Sequence, residues 1–407
     1  MKGDMYLAWS KKEDLRKKAS SGGALTEILS YLLESKKVDA VVTVKPITVY
    51  HGVPAIITDP KELIASAGIY YCFSENLPRL IKEYLNGASG LKLAVVGRSC
   101  DIRAVIEIAK RNKINLENLI LLGLSCTGTL SPAIAKEMAE KEFGVNPEQV
   151  VGHHIDEGKL TLILKDGKEI TKDLKELEEK GLGRRDNCRR CEVPIPRMAD
   201  LAFGRWGGEK KKATFIEVCS AQGDEILNSA IQAGYLETEK PTSEEIKERA
   251  QKEQSAIELA HYWQERDFGE YKKMSLEERF EYWKNQFNQC IKCCGCRDAC
   301  PICYCDECLL APERGVIKPG AVPPGWTFSI IRAFHVSDSC LNCGQCQEVC
   351  PANIPLSRLI FMVNREIKEL FDYEPGRELK QKPPLAWVDD KEKTIEKIEL
   401  SASDFKS

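Results

Sequence analysis

Charge of one sign is what this 407-residue chain lacks: 59 lysines and arginines against 62 aspartates and glutamates leave a formal net charge of −3. That balance provides no basic footprint for nucleic acid. Long apolar runs are missing too. The N-terminal "MKGDMYLAWSKKEDLRKK" contains none and does not read as a secretory signal. The longest uncharged stretch, Asn118 to Ala135, is interrupted by Gly, Ser, Thr and Pro, which excludes a membrane helix there. With 43% hydrophobic and 30% charged residues, the chain reads as soluble and globular, long enough for two or three domains. A cytoplasmic location is the expectation.

Cysteine, by contrast, is abundant, with 18 residues. In a chain without a secretory signal this points to metal binding rather than disulfides. "CIKCCGCRDACP" places Cys290, Cys293, Cys296 and Cys300 in the spacing C-x2-C-x2-C-x3-C-P, and "CLNCGQCQEVCP" repeats it with Cys340, Cys343, Cys346 and Cys350. Three closely spaced thiolates hold three irons of a cubane, and the fourth, before the proline, reaches the other cluster. One [4Fe–4S] cluster is therefore expected on Cys290, Cys293, Cys296 and Cys350, the other on Cys340, Cys343, Cys346 and Cys300. Zinc needs only two C-x2-C pairs and leaves the remaining cysteines and both prolines unexplained. Cys294 reads as a bystander. Cys303, Cys305 and Cys308 read equally as a further metal site or as free thiols.

The two motifs lie in a segment with helical spacing on both sides of the second, "FSIIRAF" and "IPLSRLIFMVNREIKELF". This predicts a helical two-cluster ferredoxin domain over 288–370, followed by a polar, proline-containing tail over 371–407. Residues 223–287 are charge-rich and helical, a connector broken near "EKPTS". Residues 1–222 predict an α/β (α+β) domain with a mostly parallel sheet. "AVVTV" (40–44), "KLAVVG" (92–97) and "LILLGL" (119–124) are short buried-strand runs, and "KLTLILKDGKEIT" predicts a hairpin turning at Asp166-Gly167. Apart from the cluster motifs there is no internal repeat.

In "ASSGGALTEILSYLLE" the apolar residues fall on one helix face, with Ser20 or Ser21 as N-cap. Gly22 and Gly23 admit an anion such as a pyrophosphate to the helix N-terminus, or serve only tight packing. Cys100 and Cys126 each follow a strand, where open α/β sheets bind ligands. With the C-x2-C pair Cys188 and Cys191 they make a third [4Fe–4S] site; a zinc site or unrelated packing thiols are the alternatives. Arg98, Arg103, Arg184, Arg185, Arg189, Arg190 and Arg205 lie near these segments, each singly expected on a solvated basic face. The pair His153-His154 is expected to be structural.

Taken in order, "SSGGALTEIL", "VVGRSCDI", "LGLSCTG" and "NCRRCEVPIPRMADLAFGRWG" resemble the coenzyme F420 hydrogenase/dehydrogenase β subunit family over about residues 15–235. The family includes the β subunit of F420-dependent formate dehydrogenase, which the C-terminal clusters most resemble. Where the family shows Thr-Pro before the first cysteine, this chain has Arg98-Ser99. The resemblance implies FAD, a [4Fe–4S] cluster on Cys100, Cys126, Cys188 and Cys191, and the deazaflavin F420 of methanogenic archaea as substrate. It implies flavin contacts at Ser21, Gly22, Gly23 and Ala24, near Arg98 and Ser99, and at Gly204, Trp206 and Gly207. It further implies an oxidoreductase subunit in electron transport. Electrons from a molybdopterin-containing catalytic subunit that oxidises formate would pass through the clusters to FAD, which reduces F420 by hydride transfer. A hydrogenase, a glutamate-synthase-like enzyme or a heterodisulfide reductase complex is the alternative partner. A polyferredoxin-type carrier and a structural iron–sulfur protein are the readings without catalysis.

Overall fold

In the computed structural model, residues 1–72, 77–316, 318–320 and 326–386 are described. An eight-stranded sheet organises the first part of the chain. Its strands are β1 (Met5–Ser10), β2 (Ala40–Thr48), β3 (His51–Ile57), β4 (Leu93–Arg98), β5 (Leu119–Leu124), β9 (Leu201–Gly204), β10 (Thr214–Val218) and β11 (Leu236–Glu239), in the order β11-β1-β10-β9-β5-β4-β2-β3. A separate antiparallel sheet holds β6 (Val150–Asp156), β7 (Lys159–Leu164) and β8 (Glu169–Asp173). The last two form the expected hairpin, with Gly167 at φ +82° in its turn.

The large sheet is mixed, which corrects the expectation of a mostly parallel one. Only the central pairings β2–β4, β4–β5 and β5–β9 are parallel. Both wings are antiparallel: β3 folds back on β2, and β10, β1 and β11 extend the other side. The legible runs, β4 and β5, are the buried centre. The polar β11, "LETE", lies within the segment expected to be a helical connector and carries no apolar run to announce it.

Each face of the sheet has its own core. On one, Ile28 and Leu32 of the helix Ala24–Glu34 join Ile226 and Leu227 of the helix Ala221–Gln232 over Val41, Leu122 and Ile216. On the other lies the helix Ser99–Ala109, ten of whose eleven residues are buried. A helix buried nearly all round needs cover on every side, and the C-terminal half supplies much of it. Ile302, Val336, Leu341 and Ile360 share one core with Val95, Ile102, Val105 and Leu121. The two halves are thus packed together rather than tethered.

The tail closes over the same helix. Tyr373 is fully buried and bonds Glu107, the Gly376 amide donates to Glu107 at 2.8 Å, and Arg103 donates to the Pro375 carbonyl at 2.9 Å. Glu107 is held low by Lys110, Tyr373 and Arg111 against the opposing effect of burial. The expected connector resolves into a 31-residue helix, Ser243–Lys273, opened by a capping box between Thr242 and Glu245, then the helix Leu276–Phe287. Among the described residues, no helix is long and apolar enough to cross a membrane.

Candidate functional site: a cleft and three sets of thiols

The central parallel strands end together, and a cleft opens beyond their carboxyl ends, where such sheets bind ligands. Its walls include Thr43 and Val44 of β2, Val96 to Arg98 of β4, Leu124 of β5, and Phe203 and Gly204 of β9. Its empty volume, open solvent included, is about 1420 Å³.

The helix Ala24–Glu34 points its N-terminus at this cleft. Its N-cap is Gly23 in the left-handed region at φ +81°, with no side-chain cap, so neither Ser20 nor Ser21 fills the expected capping role. Ser20 instead accepts from the Ile69 amide at 2.9 Å, and Ser21 meets Thr214 at 3.3 Å. An uncapped helix start leaves amide donors free for an anion.

Of the expected contacts, Ser21, Gly23, Arg98, Gly204 and Trp206 line the cleft; Gly22, Ala24, Ser99 and Gly207 stand behind its wall. A Cβ on Gly22 would lie 2.9 Å from the Lys212 carbonyl oxygen, and one on Gly207 2.6 Å from that of Glu245. Ala24 and Ser99 are buried. Sequence reasoning passed over Thr26, Tyr70, Asp101, Thr127 and Thr129, which also face the cleft. These are polar and aromatic residues in loops or at helix starts, with no spacing signal to single them out.

The arginines do not form a solvated face. Arg98 bonds Asp101 at 2.8 Å, Arg185 reaches Glu348 at 3.1 Å, and Arg189 and Arg190 share Asp267. Arg184 pairs with the buried Glu178 at 2.5 Å. Arg205 spans His154 and Asp156, and the Trp206 indole donates to Asp156 at 3.0 Å, tying the cleft rim to the small sheet. His153 is buried against Tyr50, as a structural histidine is, and burial lowers it to about 4.

Three sets of thiols converge behind the cleft. Cys290, Cys293, Cys296 and Cys350 line one small cavity with Arg332. Cys340, Cys343, Cys346 and Cys300 are electrostatic neighbours: burial pushes Cys343 up to about 12, with Cys300 and Cys346 adding to it. Cys100, Cys126, Cys188 and Cys191 form the third. Burial also pushes Cys126 up to about 12, opposed by Arg98 and reinforced by Cys188 and Cys191. Thr129 Oγ1 lies 3.2 Å from the Cys188 sulfur.

The sets follow one another. Cys346 senses Cys296 of the first, Cys100 senses Cys343 of the second, and Cys126 of the third is itself a wall of the cleft. At the far end, Cys293 is exposed. Each set gathers four cysteines, a donor chemistry that fits iron–sulfur clusters.

The remaining cysteines differ. Cys303 bonds the Cys300 sulfur and holds that thiol down, Cys305 is exposed, and Cys308 is half-buried. Among the described residues, no three His, Cys, Asp or Glu side chains close on one point as around a single ion. Cys294 caps the short helix Gly295–Asp298 at φ +63° and lines the first cavity.

Known proteins bear on this arrangement. The two sequence models of the coenzyme F420 hydrogenase/dehydrogenase β subunit, N-terminal and C-terminal, match residues 5–81 and 90–244. The F420-dependent formate dehydrogenase β subunit of Methanocaldococcus jannaschii is 42% identical over 374 residues, covering 91% of this chain and 95% of that one. The F420-dependent formate dehydrogenase 1 β subunit of Methanococcus maripaludis is 38% identical over 393 residues, covering 95% and 98%. A chain of the F420-reducing [NiFe] hydrogenase complex of Methanosarcina barkeri shares the fold, with a TM-score of 0.56 at 19% identity over 68% of this chain and 96% of that chain. Similarity that runs nearly end to end, through the cleft strands and all three thiol sets, makes this chain a member of the coenzyme F420 hydrogenase/dehydrogenase β subunit family.

Proposed function

We propose that this chain is the β subunit of an F420-dependent formate dehydrogenase, linking a molybdopterin-containing, formate-oxidising subunit to coenzyme F420. The observation that carries the reading is the file of thiols from exposed Cys293 to Cys126 on the cleft wall. The near full-length similarity to two formate dehydrogenase β subunits supports the choice of partner.

Oxidation of formate to CO2 and a proton releases two electrons, and reduction of F420 consumes two electrons and two protons. When bound, FAD supplies the exchange between single electrons and hydride. The protein provides placement. Gly23, Ser21 and the open first turn of the helix Ala24–Glu34 would receive the FAD pyrophosphate, and Arg98, Gly204 and Trp206 would complete the cleft wall around it. Gly22, Ala24, Ser99 and Gly207 set the wall behind them. Cys100, Cys126, Cys188 and Cys191 hold the cluster next to the cleft. Cys340, Cys343, Cys346 and Cys300 hold the middle one, and Cys290, Cys293, Cys296 and Cys350 the outer one. The segment 223–287, with β11 in the sheet and the helices Ser243–Lys273 and Leu276–Phe287 after it, braces the flavin unit against the two-cluster unit 288–370.

The test is anaerobic purification of the chain with its natural partners. One FAD, iron and sulfide for three [4Fe–4S] clusters, and bleaching of the flavin by reduced F420 are expected. A molybdopterin-containing subunit should co-purify. Protein without flavin, or flavin indifferent to reduced F420, overturns the reading.

A further inference from the structure

Six arginines are buried among the described residues: Arg103, Arg185, Arg189, Arg190, Arg249 and Arg332. Four form ion pairs, with Glu348, Asp267 or Glu217. Arg103 instead donates to the Pro375 carbonyl and has Glu374 within electrostatic reach. Arg332 is different. It is 3% exposed, forms no ion pair with a carboxylate among the described residues, and its Nε has no hydrogen-bond partner.

Arg332 projects from the buried face of the helix Thr327–Ser337, between Phe328 and Val336. It donates weakly to the Cys296 carbonyl at 3.4 Å and lines the cavity shared by Cys290, Cys293, Cys296 and Cys350. The negative groups that act on it most strongly are sulfurs: Cys300, Cys303, Cys296 and Cys346. Two thiol sets are represented there, the outer through Cys296 and the middle through Cys300 and Cys346. A buried cation with no anion beside it is strongly unfavourable. A cluster on four thiolates carries net negative charge, which grows by one unit on reduction, and cluster potential depends on the charge around it.

Resting on the cluster reading above, we propose that Arg332 is the shared counter-charge of the two C-terminal clusters, stabilising their reduced forms and raising their reduction potentials. It is a positioning residue, since it exchanges no electron itself.

The test is redox titration, followed by electron paramagnetic resonance, of the anaerobically purified complex with its full cofactor load. Iron and sulfide are assayed in every sample. Arg332→Gln and Arg332→Met should shift the reduced-to-oxidised ratio of the C-terminal clusters about tenfold toward oxidised at a fixed potential, equivalent to a midpoint about 59 mV lower. Arg332→Lys, which keeps the charge, should stay within about threefold of the parent, or less than half that shift. Full iron content with parent-like potentials in the Gln and Met variants overturns the proposal. If those two lose iron, Arg332→Lys decides. Clusters retained at parent-like potential support a charge role, and clusters lost equally show a shape requirement and overturn it. A parent without iron or sulfide fails the cluster reading itself, and this inference with it.

Discussion

At the scale of single residues, the two neighbouring glycines separate support from contact. Both have positive φ, but a Cβ on Gly22 would meet two backbone carbonyls, at 2.9 Å from Lys212 and 3.1 Å from Ala8, whereas one on Gly23 would meet the Leu15 side chain at 2.9 Å. A backbone carbonyl gives way less readily than a leucine side chain. Gly22→Ala should therefore cost more than the roughly 1–2 kcal/mol of a left-handed residue alone, seen as a lowered unfolding temperature. Gly23→Ala, at the helix start that lines the cleft, should lower flavin content with a smaller loss of stability. Equal flavin loss at equal stability in both variants contradicts this division. His153 gives a pH signature. Its folded pKa of about 4 lies below the ordinary 6.5, so between those values the unfolded chain binds a proton that the folded one refuses. Stability is therefore lost as pH falls through that window, by about 3 kcal/mol in all. His153→Leu should flatten this limb in denaturant titrations at pH 7, 6 and 5 (about one unit apart, within the interval where the linkage acts); an unchanged slope assigns the pH dependence elsewhere.

Among the elements, the long helix Ser243–Lys273 does more than connect. Its Asp267, 7% exposed at the side chain, accepts from Arg189 at 3.1 Å and from Arg190, the two residues between Cys188 and Cys191. Asp267→Ala would leave two guanidiniums buried with one partner fewer. The expected cost is about 3–5 kcal/mol, with loss of iron from the cleft-side cluster before the other two. Thermal unfolding and iron content measured together check it, and a variant with parent stability rules out the brace. This role was not legible beforehand, because a charged face of a long helix reads as solvated until its partners are known. The elements that were legible share one property: their signal is local. "LILLGL" became β5 residue for residue, and "FSIIRAF" lies in the helix Thr327–Ser337. The mixed character of the sheet was hidden because β1 and β11 are placed by long-range pairing, Leu7 opposite both Phe215 and Glu239. The cysteine sets were legible because cluster chemistry imposes spacing on sequence, whereas Arg332 in the middle of an apolar run had no such rule to mark it.

At the scale of the molecule, the shared core bears on the proposed electron path. Ile302, just after the first cluster motif, and Leu341, within the second, share a core with Ile102 and Val105 of the helix that carries Cys100. Burial that extensive packs the second and third thiol sets together, so in the proposed path the outer set serves the cleft only through the middle one. Replacing Cys343 and Cys346 together by Ser removes two of four thiolates from the middle set. The flavin side of the sheet has its own core around Ile28, Leu122 and Ile216, and FAD should remain. Reduced F420 should then bleach the flavin at a near-parent rate, while formate-driven F420 reduction by the assembled complex should fall to background. The outer cluster should persist in weakened form, since its own ligands include Cys350 from the same motif. Rapid-mixing absorbance of the flavin and steady-state F420 reduction distinguish the cases. Parent-like formate turnover in protein shown to lack the middle cluster would take the C-terminal module off the electron path. Loss of both activities together, with the flavin gone, would instead mean that the common core, rather than the relay, had failed.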